Sequence, residues 1–207
     1  MAANHAAAVR HLKAADPVLA GIVRKVGPCR LPAPRPGPKA VFESLVMAIL
    51  HQQLTATSAG AIYRKFKALY PRYPGPAEVL ATPDSRLRGA GVSPPKAGYL
   101  KDLSAKVEEG AVNLRGLGRL SDEEVVETLT QVRGVGRWTA EMVLIFTLGR
   151  PDVLPVGDYG LQKAVREAYG LRSLPKPEKF RRLAEPWRPW RSVASWYLWA
   201  SQGPWPG

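Results

Sequence analysis

Apolar residues recur three and four positions apart along almost the whole chain, the period of helices that bury one face. No segment shows the strict alternation of a half-buried strand. Phe42, Leu45, Val46 and Ile49 predict a helix over residues 39–53. Ala61, Ile62, Phe66 and Leu69 predict another over 58–70, and Leu100, Leu103 and Val107 one over 95–109. Val125, Val126, Leu129 and Val132 form the apolar face of a further helix. Ser121-Asp122-Glu123-Glu124 opens it as a capping box, in which Ser and the third residue on satisfy each other's orphan N–H groups. Helices over 138–148 and 158–169 end at Gly149 and Gly170, and two more lie within 177–202. Near the start, Asp16 reads as an N-cap with Pro17 in the first helical position, leading into Val18, Leu19, Ile22 and Val23. Five prolines between 28 and 38 then form an extended connector that no helix crosses.

This pattern predicts an all-α fold. The simplest arrangement is one compact domain, with residues 1–38 packing on a continuous core of 39–207. In the other arrangement two lobes form, with both chain ends closing one of them around a central cleft. At 207 residues either arrangement buries a real core without staples.

Charge narrows the partner. The formal net charge is +13, from 30 Lys and Arg against 17 Asp and Glu. Because the basic residues are spread along the chain, the charge belongs to a folded surface that favours a polyanion through counterion release. A basic protein that is merely soluble, or a ribosomal component, is the plainer alternative. Cys29 is the only cysteine, which excludes a disulfide framework, a multi-cysteine zinc site and a four-cysteine iron–sulfur cluster. No apolar run approaches the roughly 20 residues of a membrane span. The Ala-rich start (residues 1–8) lacks the plan of a secretory signal, so a cytoplasmic protein without a membrane partner is expected.

The candidate chemistry lies in two neighbouring stretches. Arg133-Gly134-Val135-Gly136-Arg137-Trp138-Thr139 sits between two helical patterns. Glycines there allow positive φ and close approach of an anion, and the following helix offers N–H groups and its dipole to a phosphate. Arg133, Arg137 and Thr139 are placed to add charge and a hydroxyl; a tight turn with glycines for geometry alone is the competing reading. Asp158, after Pro155-Val156-Gly157, falls at the next helix start, where most Asp residues only cap. Capping also keeps a carboxylate ionised. A fixed carboxylate stabilises the positive charge that develops on a sugar as an N-glycosidic bond breaks, and it orients or deprotonates the attacking water.

Taken together, these segments resemble the helix-hairpin-helix DNA glycosylases, in the branch of 3-methyladenine DNA glycosylase II (alkylbase DNA glycosylases). The likeness covers roughly residues 40–200. It is carried by Ile49-Leu50-His51-Gln52-Gln53-Leu54, Pro94-Pro95-Lys96-Ala97-Gly98-Tyr99-Leu100 and the hairpin. Leu154-Pro155-Val156-Gly157-Asp158-Tyr159 and Arg188-Pro189-Trp190-Arg191-Ser192 complete it. The resemblance implies two helical lobes around an active-site cleft, without the N-terminal α/β domain that some members carry. It also implies that Asp158 is the catalytic carboxylate and that Gln53 or Leu54 fills the gap left by a flipped nucleotide. Lys96, Arg133, Gly134, Gly136, Arg137 and Thr139 would then contact duplex DNA containing damaged bases. Trp138, Trp190, Trp196 and Tyr197 would line the pocket, aromatic rings suiting a cationic alkylated purine. Members that also cut the backbone have Lys where Trp138 stands, so hydrolysis by water alone is expected, on 3-methyladenine and 7-methylguanine type lesions. The chemistry would need no cofactor. A monovalent cation (Na+ or K+) on the carbonyls of Thr130, Val132 and Val135 is implied by the same analogy, and the protein would act as a monomer.

Three other classes compete with this one. A non-catalytic hairpin module explains the glycines and the charge but not Asp158. A bifunctional lyase requires another Lys to reach the sugar, and an RNA-associated basic protein lacks any recognised RNA module.

Overall fold

Helices α1 (Ala6–Ala15) and α2 (Pro17–Val26) meet at Asp16, whose Oδ1 accepts the N–H of Val18 and of Leu19 at 2.9 and 3.1 Å. The cap and the proline therefore start α2 where the sequence places it. The computed structural model describes residues 5–203, all-helical with no strand among them; the first four residues of the Ala-rich start lie outside this range. Among the described residues no helix is long and apolar enough to cross a membrane.

The chain divides into two units, residues 35–143 and residues 1–34 joined with 144–207. An N-terminal segment resting on one continuous 39–207 core does not describe this division. The reason lies in burial: α1 and α2 place Leu12, Leu19 and Val23 in a core shared with the C-terminal helices.

The 35–143 unit contains α3 (Pro38–His51), α4 (Ala56–Lys67), α5 (Pro76–Ala81), α6 (Asp84–Gly89) and α7 (Pro94–Glu108). It also contains α8 (Asp122–Thr130) and α9 (Arg137–Met142). Its core is built on α3 and α7, with Phe42, Leu45, Ile49, Leu100 and Leu103 buried as their spacing requires. Helix α4 begins earlier than its apolar pattern suggests, because the Thr55 hydroxyl accepts the Ser58 N–H and fixes its first turn, and it ends at Lys67. The helix after the hairpin is shorter than expected too: α9 gives way at Val143–Thr147 to a π-helical segment.

In the other unit, α10 (Tyr159–Ala168), α11 (Pro177–Leu183) and α12 (Arg191–Ala200) join α1 and α2. Nearly all of α12 is buried, from Ser192 to Trp199, and it packs against α2 and α10. Its two serines are tolerated there because each donates to a carbonyl, Ser192 to Arg150 and Ser195 to Arg191. Asp16 knots the unit together. Its Oδ2 accepts the Tyr169 hydroxyl at 2.5 Å and the Trp187 indole N–H at 2.8 Å.

Candidate DNA-binding and catalytic site

The hairpin is built from the α8 capping box onward. Ser121 accepts the Glu124 N–H while the Glu124 carboxylate accepts the Ser121 N–H at 2.7 Å. Past the end of α8, the Val135 N–H donates to the Val132 carbonyl at 3.0 Å and closes the turn. Gly134 stands at φ +80°, and a Cβ there would lie 2.6 Å from Cγ of Tyr99. Positive φ and the Tyr99 ring both demand glycine. Gly136 is different, with φ −100° and open space where a Cβ would go. It is the N-cap of α9, whose first N–H groups receive no side-chain cap. Helix N-termini attract anions through their aligned backbone dipoles.

Asp102 of α7 holds this turn. It accepts the Arg133 backbone N–H at 2.8 Å, the Arg133 Nε at 3.0 Å and the Lys106 ammonium at 3.0 Å. Burial pushes its carboxyl pKa up, but these donors outweigh burial and hold it below the usual range. Both hairpin arginines are thus paired in the free protein, Arg133 with Asp102 and Arg137 with Glu123. Thr139 is buried in the first turn of α9, and Trp138 beside it is 49 % exposed.

Gln53 and Leu54 lie in the turn after α3. Gln53 is the non-glycine residue with positive φ among the described residues, at +55°, and the Leu54 side chain is 41 % exposed. Lys96, expected to contact DNA, points at backbone instead: its ammonium donates to the carbonyls of Leu50 and Gln52, each at 2.7 Å.

Asp158 is the N-cap of α10, as its sequence context requires. Its Oδ1 accepts the Leu161 N–H at 2.5 Å and the Trp199 indole N–H at 2.9 Å. The preceding loop is tied to the start of α12: Asp152 accepts Nε of Arg191 at 2.7 Å, and the Val153 N–H donates to the Ser192 hydroxyl at 3.0 Å. Trp199, packed on Phe146 at a centroid distance of 5.9 Å, is the aromatic that touches the carboxylate. Its sequence neighbours conceal it, since four aromatics crowd residues 190–199 and only packing separates them.

Two expected pocket residues prove to be core. Trp196 is 2 % and Tyr197 1 % exposed, the rings meet edge-to-face at 4.9 Å, and the Tyr197 hydroxyl donates to the Gly27 carbonyl. Burial pushes that phenol up to about 12. Their helix is apolar nearly all round, so these rings go inward. Trp190, the N-cap of α12, is half-buried.

The carbonyls of Thr130, Val132 and Val135 belong to the last residue of α8 and the turn after it. Helix C-termini carry partial negative charge, and the neighbouring Gln131 carbonyl already accepts the Lys106 ammonium.

Residues 46–189 match the profile of the HhH-GPD superfamily base excision DNA repair proteins. The alkylbase DNA glycosidase-like protein mag2 of Schizosaccharomyces pombe is 34 % identical over 93 % of this chain and 91 % of its own. The crystal structure of a DNA-3-methyladenine glycosidase from Bacillus halodurans has a TM-score of 0.83 at 36 % identity, covering 95 % of this chain and 89 % of that one. The S. pombe 3-methyladenine DNA glycosylase Mag1, solved in complex with abasic DNA, has a TM-score of 0.79 at 34 % identity, covering 93 % and 94 %.

Proposed function

The chain belongs to the HhH-GPD superfamily of base excision DNA repair proteins, and on that premise we propose that it is a monofunctional glycosylase that excises alkylated bases from duplex DNA. The observation that carries this reading is Asp158, held by two N–H donors at a helix start, in a chain with Trp rather than Lys at position 138.

In this reading the hairpin from Gly134 to Thr139 anchors a backbone phosphate. Arg133 and Arg137 exchange their carboxylate partners for phosphate as DNA arrives. Gln53 and Leu54 enter the base stack and offset part of the cost of extruding the damaged nucleotide. Trp138, and Trp190 at its half-buried position, offer π faces to a cationic base. The glycosidic C1′–N bond then breaks with its electron pair leaving on the base. Asp158 faces the oxocarbenium-like sugar, and water adds to C1′ with loss of its proton to the carboxylate or to solvent. A cation on the Thr130, Val132 and Val135 carbonyls would add positive charge beside the anchored phosphate. No other cofactor enters the reading, and the protein acts as a monomer on chromosomal DNA in the cytoplasm.

Duplexes carrying one 3-methyladenine or 7-methylguanine test it. The expected product is an intact strand with an abasic site, cut only by added base or heat, and borohydride traps no covalent adduct. A trapped adduct or spontaneous nicking would refute the monofunctional reading, and no base release from any lesion would refute the enzyme.

A further inference from the structure

Helix α7 carries four polar or aromatic residues along one stripe, Lys96, Tyr99, Asp102 and Lys106, spaced by three or four residues. None of them is left to solvent chemistry alone. At the N-terminal end of the stripe, Lys96 spans the Leu50 and Gln52 carbonyls at the end of α3. Further along, the Tyr99 ring fills the space that Gly134 leaves, and Asp102 holds both the N–H and the side chain of Arg133. Lys106 completes the row by donating to the Gln131 carbonyl at the end of α8. One helix therefore grips the turn carrying Gln53 and Leu54 with its first turns and the hairpin with its later ones. A direct link joins the two gripped segments: Nε2 of Gln52 donates to the Gly134 carbonyl at 2.6 Å.

We propose that α7 is a brace that fixes the Gln53–Leu54 wedge at a set position from the phosphate hairpin, and that Lys96 is a positioning residue for base extrusion rather than a phosphate ligand. This rests on the wedge and hairpin roles given above. The physical argument is one of order established in advance. The end of α3 leaves carbonyls without intrahelical donors, and Gln53 sits in a backbone region that non-glycine residues avoid. Without an external cation on those carbonyls and the Gln52 strut, the turn would relax. Phosphate capture would then no longer bring the wedge to the base stack in a defined register, and the ordering cost would fall on the extrusion step. Burial lowers the Lys96 pKa, consistent with an ammonium spent on backbone rather than extended toward DNA.

The test uses the full chain with Lys96→Met, which keeps the aliphatic stem and removes the ammonium. Three readouts apply: the slope of log K against log salt on undamaged duplex, the fluorescence of 2-aminopurine placed as the extruded base, and single-turnover release of 7-methylguanine. Release is measured with the lesion paired to cytosine and with it opposite an abasic-site analogue, where little pairing remains to be broken. The brace gives an unchanged salt slope, a loss of the 2-aminopurine signal, and a fall of tenfold or more on the paired lesion that shrinks to less than twofold on the unpaired one. A phosphate ligand would instead flatten the slope by about one and weaken both lesions alike, which would overturn the proposal, as would a variant unchanged in all three. Gln52→Ala removes only the strut and should reproduce the pattern in milder form; its failure to do so, should Lys96→Met not fold, also overturns the brace. If the wild-type chain releases no base, the glycosylase reading fails, while the salt slope and the fluorescence still decide the brace.

Discussion

The indole N–H of Trp199 and the carboxylate of Asp158 are joined at 2.9 Å, and the oxygen that accepts this bond also accepts the N–H of Leu161. One oxygen thus serves both the helix cap and the indole. This arrangement lets the roles of the cap, the charge and the ring be separated by substitution.

Asp158→Asn should retain the cap, because Asn caps a helix about as well as Asp. Thermal unfolding should therefore stay close to wild type. The variant lacks the negative charge facing the sugar, and single-turnover excision should fall roughly 100-fold or more, each tenfold being about 1.4 kcal/mol of barrier. Cationic lesions, whose bases leave readily, should lose less than neutral ones. Near wild-type excision by the folded variant would remove Asp158 from the chemistry.

Trp199→Phe preserves an aromatic ring against Phe146 but deletes the N–H donor. A hydrogen bond to a charged group contributes about 1.5–3 kcal/mol, so excision should fall roughly tenfold while affinity for duplex DNA is unchanged. Because the ring acts through the carboxylate, the same substitution in an Asp158→Asn background should add little. Additive losses in that cycle would assign Trp199 to packing alone.

The two hairpin glycines should respond differently. Gly134→Ala forces a Cβ into the Tyr99 ring from a backbone at φ +80°, and should lower both stability and affinity for damaged and undamaged duplex. Gly136→Ala meets open space at an ordinary φ and should melt within a few degrees of wild type. Gly136→Asp should fold as well but bind poorly at moderate salt, since it sets a negative charge where the phosphate is received. Melting curves and salt titrations on the three variants decide the matter.

Asp16 is 7 % exposed and its carboxylate accepts four hydrogen bonds, from the backbone at Val18 and Leu19 and from the side chains of Tyr169 and Trp187. Asp16→Ala removes the α2 cap and strands a buried phenol and indole, which should cost about 2–4 kcal/mol in denaturant titrations. Excision measured well below the melting range should be little affected, because the hydrogen-bond partners of Asp16, namely Val18, Leu19, Tyr169 and Trp187, are not among the candidate site residues.

Much of this protein was written locally. Helix periods, the Asp16, Ser121 and Asp158 caps, and the glycine stops at 149 and 170 depend on residues a few positions apart, so the sequence alone placed most of the helices to within a few residues, together with the hairpin and the carboxylate at position 158. The net charge favoured a polyanion and the one cysteine left no four-cysteine ligand set, because both are sums over the chain. Tertiary structure decided which equivalent-looking residues do what. Trp196, Tyr197 and Trp199 share one short run, and only the burial of α12 makes two of them core and brings the third to Asp158. Gly134 and Gly136 look alike in sequence, but a ring from α7, 35 positions away, constrains only the first. Lys96 reads as a basic residue free for DNA until the fold sets it on the carbonyls at the end of α3. Each of these outcomes depends on a partner remote in the chain, and no local pattern encodes which remote partner arrives.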